Sequence, residues 1–354
     1  MVKEIQLKDF RNFKSLHICL ENSVNIVYGD NANGKTNFIE AIYFCATGRS
    51  QRASHDRELI RFGKQEAHLQ AVLESQRIDV HLFADGKKKG IAIDHMPIKK
   101  LSQLYGLLLV VIFTPEDLRM IKSGPGERRT FMDTELCQLS GVYYHALRQY
   151  YQALKQRNNL LRAIPKDRAL LDTLEMWDEP LEKYGTRIME HRLAFVEEIG
   201  EHAARIHKDI AAENLTMTYR PQVIDDYSVR LKRSIDRDIA IGSTSVGIHK
   251  DDIAFAINEN DVRTYGSQGQ QRTVALSIKL AEIELIKKRT NRLPTLLLDD
   301  VLSELDETRQ KFLFNHIKEI QTVLTCTGIE DALKKTKGAT LKMEKGILTR
   351  NNAN

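Results

Sequence analysis

The octapeptide Gly29-Asp30-Asn31-Ala32-Asn33-Gly34-Lys35-Thr36 matches Gly-x-x-x-x-Gly-Lys-Ser/Thr, and no other feature of the chain restricts its fold as tightly. In this pattern glycines let backbone amides curl around phosphate oxygens, the lysine reaches the outer phosphates, and the Thr hydroxyl ligates magnesium. A chain of this length meets the template by accident about once in a hundred cases. The flanks agree with it. Val24-Asn25-Ile26-Val27-Tyr28 reads as a short strand, and Phe38, Ile39, Ile42 and Ala46 recur at helical spacing before Gly48 as a stop. Strand, loop and helix therefore come in the order that aims a helix N-terminus at phosphate. The alternative is an ordinary Gly/Asn turn ahead of a helix, which would leave the lysine and threonine unexplained. The expected ligand is a nucleoside triphosphate with Mg2+.

A second half of such a site lies far downstream. Thr295-Leu296-Leu297-Leu298-Asp299-Asp300 is an apolar run that ends in two carboxylates, as a buried parallel strand delivers acids to its C-terminal tip. In phosphate-loop ATPases the first acid holds magnesium and the next acts on the attacking water, which assigns Asp299 to the metal and Asp300 to catalysis. Upstream, Ser267-Gln268-Gly269-Gln270-Gln271-Arg272 opens a helix whose buried face is marked by Val274, Ile278, Ala281 and Leu285. Such a turn presents a hydroxyl and backbone amides to an anion. It can equally be a plain polar helix cap.

Composition narrows the class. The chain has 354 residues, 42% hydrophobic and 29% charged, with no apolar run near eighteen residues, so a globular protein is expected and not a membrane-spanning one. The Met-Val-Lys-Glu start does not read as a signal peptide, and Cys19, Cys45, Cys137 and Cys326 form no C-x-x-C pair. Reduced thiols and a cytoplasmic location are the expectation. A net charge of +5 permits a polyanionic partner.

About 260 residues separate Lys35 from Asp299, which implies an insertion. Leu170, Leu174, Trp177, Leu181, Tyr184 and Ile188 recur at steps of four and three, continuing less strictly through Phe195, Ile199, Ile206 and Ile210. That seam predicts a long helix, kinked or broken at Pro180, against a partner striped by Leu147, Tyr151, Leu154, Leu161 and Ile164, with Pro165-Lys166-Asp167 as the turn.

The three nucleotide elements, in this order, resemble the ATP-binding-cassette ATPases, where the Ser-Gly-Gln signature of one subunit closes over the nucleotide of another. With a short helical insertion, the chain resembles the chromosome-maintenance and repair branch, and within it the RecF family of recombination proteins. The resemblance rests on Leu7-Lys8-Asp9-Phe10-Arg11-Asn12-Phe13, on Lys35-Thr36-Asn37 with Ile39-Glu40-Ala41-Ile42, and on Gly48-Arg49-Ser50 before Glu58-Leu59-Ile60-Arg61. It continues in Phe113-Thr114-Pro115-Glu116-Asp117-Leu118, Pro125 with Arg128-Arg129 and Met132-Asp133, the Ser267 turn, and Leu298-Asp299-Asp300-Val301-Leu302-Ser303-Glu304-Leu305-Asp306. These segments span nearly the whole chain.

The resemblance implies an α/β fold: an ABC/SMC-like P-loop ATPase head of two lobes with an inserted α-helical hairpin arm. The expected divisions are 1–112 for the first lobe, 113–222 for the arm and 223–354 for the second lobe. It also implies ATP-dependent dimerisation and binding of DNA at single-strand gaps, strand junctions and linear duplex. The implied partners are RecR with RecO and, indirectly, the recombinase RecA, in recombinational repair, replication restart and the SOS response. Residues 29–36 with Arg11 and Asn12 would hold ATP, Thr36 and Asp299 the magnesium, and Ser267, Gln268, Gly269, Gln270 and Gln271 would cap the nucleotide of a second copy. Candidate DNA contacts are Arg49, Arg52, Lys87, Lys88, Lys89, Arg128 and Arg129, with Lys99, Lys100, Arg230, Lys232 and Arg233 as further basic positions.

Three departures bear on activity. The family usually carries glycine where this chain has Ala32, which questions whether that position needs a positive φ. The strand after the acidic pair ends Val323-Leu324-Thr325-Cys326-Thr327, without the histidine of transporters, and Asp300 replaces their glutamate. A weak, DNA-stimulated ATPase used as a switch is the expectation. The competing class is the soluble ATPase subunit of a transporter. A GTPase would need Asn/Thr-Lys-x-Asp, which the sequence does not contain.

Overall fold

A computed structural model describes residues 1–224, 226–328 and 337–351. Two compact units emerge: Met1–Asp117 with Ala275–Asn354, and Leu118–Val274. These boundaries differ from the expected divisions. Residues 223–274 fall with the helical insertion, because strands that follow the long helices pack back onto them.

The first unit is two six-stranded sheets around one helix. The antiparallel sheet orders β2-β1-β4-β5-β6-β7, from β1 (Val2–Phe10), β2 (Phe13–Cys19), β4 (Glu66–Leu73), β5 (Arg77–Phe83), β6 (Gly90–Ile93) and β7 (Met96–Pro97). The second orders β15-β14-β3-β13-β12-β8. In it β3 (Val24–Tyr28), β8 (Val110–Phe113), β12 (Thr295–Asp299), β13 (Thr322–Cys326) and β14 (Gly338–Glu344) run parallel, and β15 (Ile347–Arg350) returns antiparallel. Strands β8, β12 and β13 are buried along their whole length, which is why they read as unbroken apolar runs and not as alternating ones.

Helix α1 (Lys35–Thr47) lies between the sheets, and eleven of its residues are buried. Phe38, Ile42 and Phe44 share one core with Leu69 and Val80 of the antiparallel sheet and Leu297, Val323 and Leu341 of the parallel one. As expected, Gly48 ends the helix: its φ is 65° and its N–H returns to the Phe44 carbonyl at 2.7 Å. Helix α10 (Glu307–His316) follows the acidic strand, capped by Asp306.

In the second unit α2 (Leu118–Lys122) and α3 (Pro125–Leu139) lead into the hairpin of α4 (Gly141–Ala163) and α5 (Glu175–Ala211). The stripe is largely as read: Leu147, Leu154, Leu161, Ile164, Leu174, Leu181, Ile188, Phe195, Ile199 and Ile206 are buried. Tyr151 is exposed, Tyr150 taking the inward position, and Leu170, Trp177, Tyr184 and Ile210 are only partly buried. Pro180 does not break α5, because it lies near the start, where its missing N–H forfeits a single bond to the carbonyl four residues back. A three-stranded sheet, β9 (Leu215–Arg220), β10 (Asp252–Ile257) and β11 (Asn260–Asp261), packs on this hairpin with α6 (Tyr227–Arg233) and α7 (Ile235–Ile241). Beyond α8 (Val262–Tyr265), α9 (Gln268–Thr290) carries the chain back into the first unit.

Candidate nucleotide site

The C-terminal ends of β3, β12 and β13 lie side by side, and the chemistry collects there. From β3 the chain enters the loop 29–36, where Gly29 (φ 153°), Ala32 (φ 66°) and Gly34 (φ 108°) all take the positive φ that lets a loop curl into an anion-binding nest. Ala32 thus does adopt the positive φ that the sequence left in question. The loop cannot accept larger residues at its ends. A Cβ on Gly29 would stand 2.2 Å from the Met343 carbonyl oxygen, and one on Gly34 would meet the Asn12 side chain at 2.3 Å. No side chain caps the α1 N-terminus, and its first turn carries no acid, so its amide dipoles face the loop uncompensated.

Side chains converge on the same place. The Lys35 ammonium donates to the Gly29 and Asp30 carbonyls at 2.6 and 3.0 Å, spanning the loop. The Thr36 hydroxyl lies 3.1 Å from Asp299 Oδ1, which also accepts from Thr325 Oγ1 at 2.8 Å. Burial pushes the Asp299 carboxyl above its usual range, and Asp300 adds to that; the Thr325 and Thr36 hydrogen bonds and the Arg52 charge oppose it. A buried carboxylate beside a hydroxyl and a second acid is a donor set that suits a hard divalent cation. Asp300 sits in the left-handed region (φ 52°), its N–H donating to Thr325 Oγ1 and its carbonyl accepting from Ser303. That backbone sets its carboxylate free of intramolecular hydrogen bonds among the described residues.

Arg11 and Asn12 flank the loop in different ways. Asn12 donates to the Asn33 carbonyl at 3.0 Å and accepts from Asn37 at 2.8 Å, so it braces the loop directly. Arg11 instead grips buried Glu40 of α1 with two bonds of 2.9 Å and donates to the Glu58 carbonyl at 3.0 Å. Its guanidinium is a strut. Asn33, in turn, is tied to Met343, Lys345 and Gly346 of the β14–β15 hairpin.

The expected signature lies in the second unit. Ser267 Oγ accepts from the Gln270 N–H at 3.2 Å while Gln270 Oε1 accepts from the Ser267 N–H at 2.9 Å, a reciprocal cap on α9. Gln271 is buried and bonds the Val262 carbonyl. Ser267 and Gln268 are exposed and Gly269 is half-buried.

The candidate DNA cations separate on inspection. Arg128 is a correction: 3% exposed, it is saturated by Asp252 and by the Met120 and Ser123 carbonyls, so it cannot reach a phosphate. Lys89 is likewise engaged, with the Gly48 carbonyl, Asp56 and the Phe44 ring. Arg129 donates to the Asp251 carbonyl. Lys87 pairs with Asp85 at an exposed hairpin turn, where Lys88 is also exposed. Arg52 reaches Asn37 at 3.2 Å beside the nucleotide loop, and Arg49 is exposed. Thr325, which organises both acids, was not anticipated. Its register opposite Asp299 becomes visible only once β12 and β13 are known to be neighbours.

The profile described as RecF/RecN/SMC N terminal domain matches residues 1–345. A DNA replication and repair protein RecF from Lachnoclostridium phytofermentans is 49% identical over 338 residues, covering 94% of each chain. The chain belongs to the RecF family. Two solved RecF structures superpose on it closely. The recombination mediator protein RecF-ATPrS in RecFOR pathway has a TM-score of 0.92 at 34% identity, covering 99% of this chain and 98% of that one. The RecF-ATP form scores 0.91 at 33% identity, covering 99% of each. The RecF family head is therefore the fold of this chain, and no described helix is long and apolar enough to cross a membrane.

Proposed function

We propose that this chain is an ATP-switched DNA repair protein. The observation that carries the reading is the meeting of Lys35, Thr36, Asp299 and Asp300 at the ends of adjacent strands, over a helix N-terminus without a cap. The loop amides and Lys35 would bind the triphosphate, and the two solved relatives named with ATP or ATPrS support that ligand. Thr36 and Asp299 would hold Mg2+, which when bound supplies neutralising charge at the phosphates. Asp300 would orient the attacking water and accept its proton; with one methylene fewer than glutamate it reaches less far, which suits slow turnover.

Ser267 and Gly269 of a second copy would close over the nucleotide, making the dimer depend on ATP. Arg49, Arg52, Lys87 and Lys88 remain the exposed candidates for DNA phosphates, and gaps and strand junctions are the expected targets. The names of the relatives, DNA replication and repair protein and member of the RecFOR pathway, support DNA as ligand and RecR and RecO as partners; loading of RecA is what the family resemblance adds to that reading.

The test is molecular mass in solution with and without ATP-Mg, for wild type and Lys35→Met, each with and without a gapped duplex. Doubling of the wild-type mass with tighter DNA binding, both lost in the variant, is the expected result. Nucleotide binding without any change of mass would remove the dimer switch.

A further inference from the structure

Phe62 has the most exposed large apolar side chain among the described residues, at 102% of its reference exposure, and the nucleotide chemistry makes no use of it. Single exposed apolar residues are ordinary on protein surfaces. Two features set this one apart: how firmly it is held and what surrounds it.

The Lys64 N–H donates to the Arg61 carbonyl at 3.0 Å and Gly63 has a φ of 79°. A hydrogen-bonded turn with a positive φ at its third residue is of type II, which puts Phe62 on the outer corner. A Cβ on Gly63 would meet nothing within 4 Å, so that glycine serves the backbone angle and not packing. The turn is tied down at its start. Leu59 and Ile60 are buried, Ile60 pairs with Phe10, the Arg61 N–H donates to the Asp9 carbonyl at 2.8 Å, and the Arg61 guanidinium lies 3.5 Å from the Asp9 carboxylate. The ring is displayed on a fixed base.

The segment that carries it is cationic in sequence. Residues 49–64 hold Arg49, Arg52, Arg57, Arg61 and Lys64 against Asp56 and Glu58. Asp56 is taken by Lys89, and Glu58 accepts from the His55 N–H. Arg57 and Lys64 are exposed, and neither side chain has an ion pair or hydrogen bond among the described residues. A presented π-face with exposed cations that form no ion pair, five residues before it and two residues after it in the chain, is the chemistry that grips a single-stranded nucleic acid: a base stacks on the ring while cations meet its phosphates.

We propose that the turn 61–64 is a nucleic-acid contact in which the Phe62 ring stacks on an unpaired base and Arg57 and Lys64 hold the flanking phosphates. This rests on the reading of the chain as a DNA-binding protein and adds a means of telling a strand junction from plain duplex. Arg11 joins the contact to the nucleotide site, since the same guanidinium holds Glu40 on α1 and the Glu58 carbonyl a few residues before the turn.

The experiment uses the full chain with ATP and Mg2+. Affinity is measured for a duplex with a single-stranded overhang, carrying a fluorescent base analogue as its first unpaired base, and for a blunt duplex of equal length. Phe62→Ala should weaken overhang binding about tenfold, with the analogue no longer quenched, and change blunt-duplex binding less than about twofold. Phe62→Trp should restore both affinity and quenching. Arg57→Ala with Lys64→Ala should weaken both substrates and lower the salt slope by about two. If Phe62→Ala binds the overhang as wild type does, the contact is wrong although the DNA-binding reading stands. If the variant keeps its DNA affinity and loses ATP-dependent doubling of mass, the turn joins two copies and the proposal falls. If wild type binds neither DNA, the underlying reading fails and takes the contact with it.

Discussion

Ala32 is held at a φ of 66°, where an L-residue with a Cβ is disfavoured by roughly 1 kcal/mol. Ala32→Gly removes that strain and adds freedom to the unfolded chain, and the two effects oppose each other. The expected net change is a gain in stability of less than about 1 kcal/mol with ATP affinity kept, read by thermal unfolding and nucleotide titration. Gly29→Ala is the opposite case. Its Cβ would press on the Met343 carbonyl, which is backbone and cannot rotate away, so a loss of about 2 kcal/mol or more together with impaired nucleotide binding is expected. The loop was legible from sequence because its chemistry needs particular residue types at fixed spacing. Arg128 was not, because a guanidinium at the surface and one buried against Asp252 look alike until the chain is folded.

The helical hairpin shows the same contrast at the level of elements. Its apolar stripe was readable, yet two of its positions carry arginines. Arg157 lies three residues after Leu154 and four before Leu161, and Arg192 lies between Ile188 and Phe195 in the same rhythm. Both are fully buried, Arg157 against Asp178, Asp238 and Thr244, and Arg192 against Asp133, Asp251 and the Ile248 carbonyl. A charge on a seam position was the signal available, and it announces a polar layer that apolar periodicity passes over. Arg157→Ala would leave the buried Asp238 carboxylate without its cation, with only Ser234 and Ser245 hydrogen-bonding it, so a destabilisation of about 3–5 kcal/mol is expected in denaturant unfolding. The layer also sets a pH response. His249 Nε2 lies 3.0 Å from the Thr244 carbonyl, which can only accept, so Nε2 carries a proton; in the neutral ring that burial favours, Nδ1 then accepts from Tyr150 at 2.8 Å. Burial lowers its pKa to about 4, so between pH 6.5 and about 4 the unfolded chain takes up a proton that the folded one refuses. Stability should therefore fall by about 2 kcal/mol as pH drops through that window, and His249→Gln should flatten the slope.

Taken as a whole molecule, each chain carries one phosphate loop in its first unit and one Ser267 turn in its second. Two copies would then supply two loops and two turns, and a closed pair with two-fold symmetry uses all four. Asp300 and Ser267 separate the halves of that idea. Asp300 occupies a left-handed backbone position that asparagine tolerates at least as well as aspartate, so Asp300→Asn removes the charge without disturbing the fold. The variant should still bind ATP-Mg and accumulate as a dimer, with product formation reduced about a hundredfold or more. Ser267→Arg places a bulky cation on the exposed turn and loses the α9 cap, about 1 kcal/mol of stability, so Ser267→Asp serves as the control that keeps the cap. ATP binding should survive in both Ser267 variants, because the hydrogen bonds of Ser267 among the described residues go to Gln270 and not to the loop 29–36. In the Asp300→Asn background, Ser267→Arg should return the mass to that of a monomer. A dimer that persists with ATP in the double variant would assign Ser267 to helix capping alone.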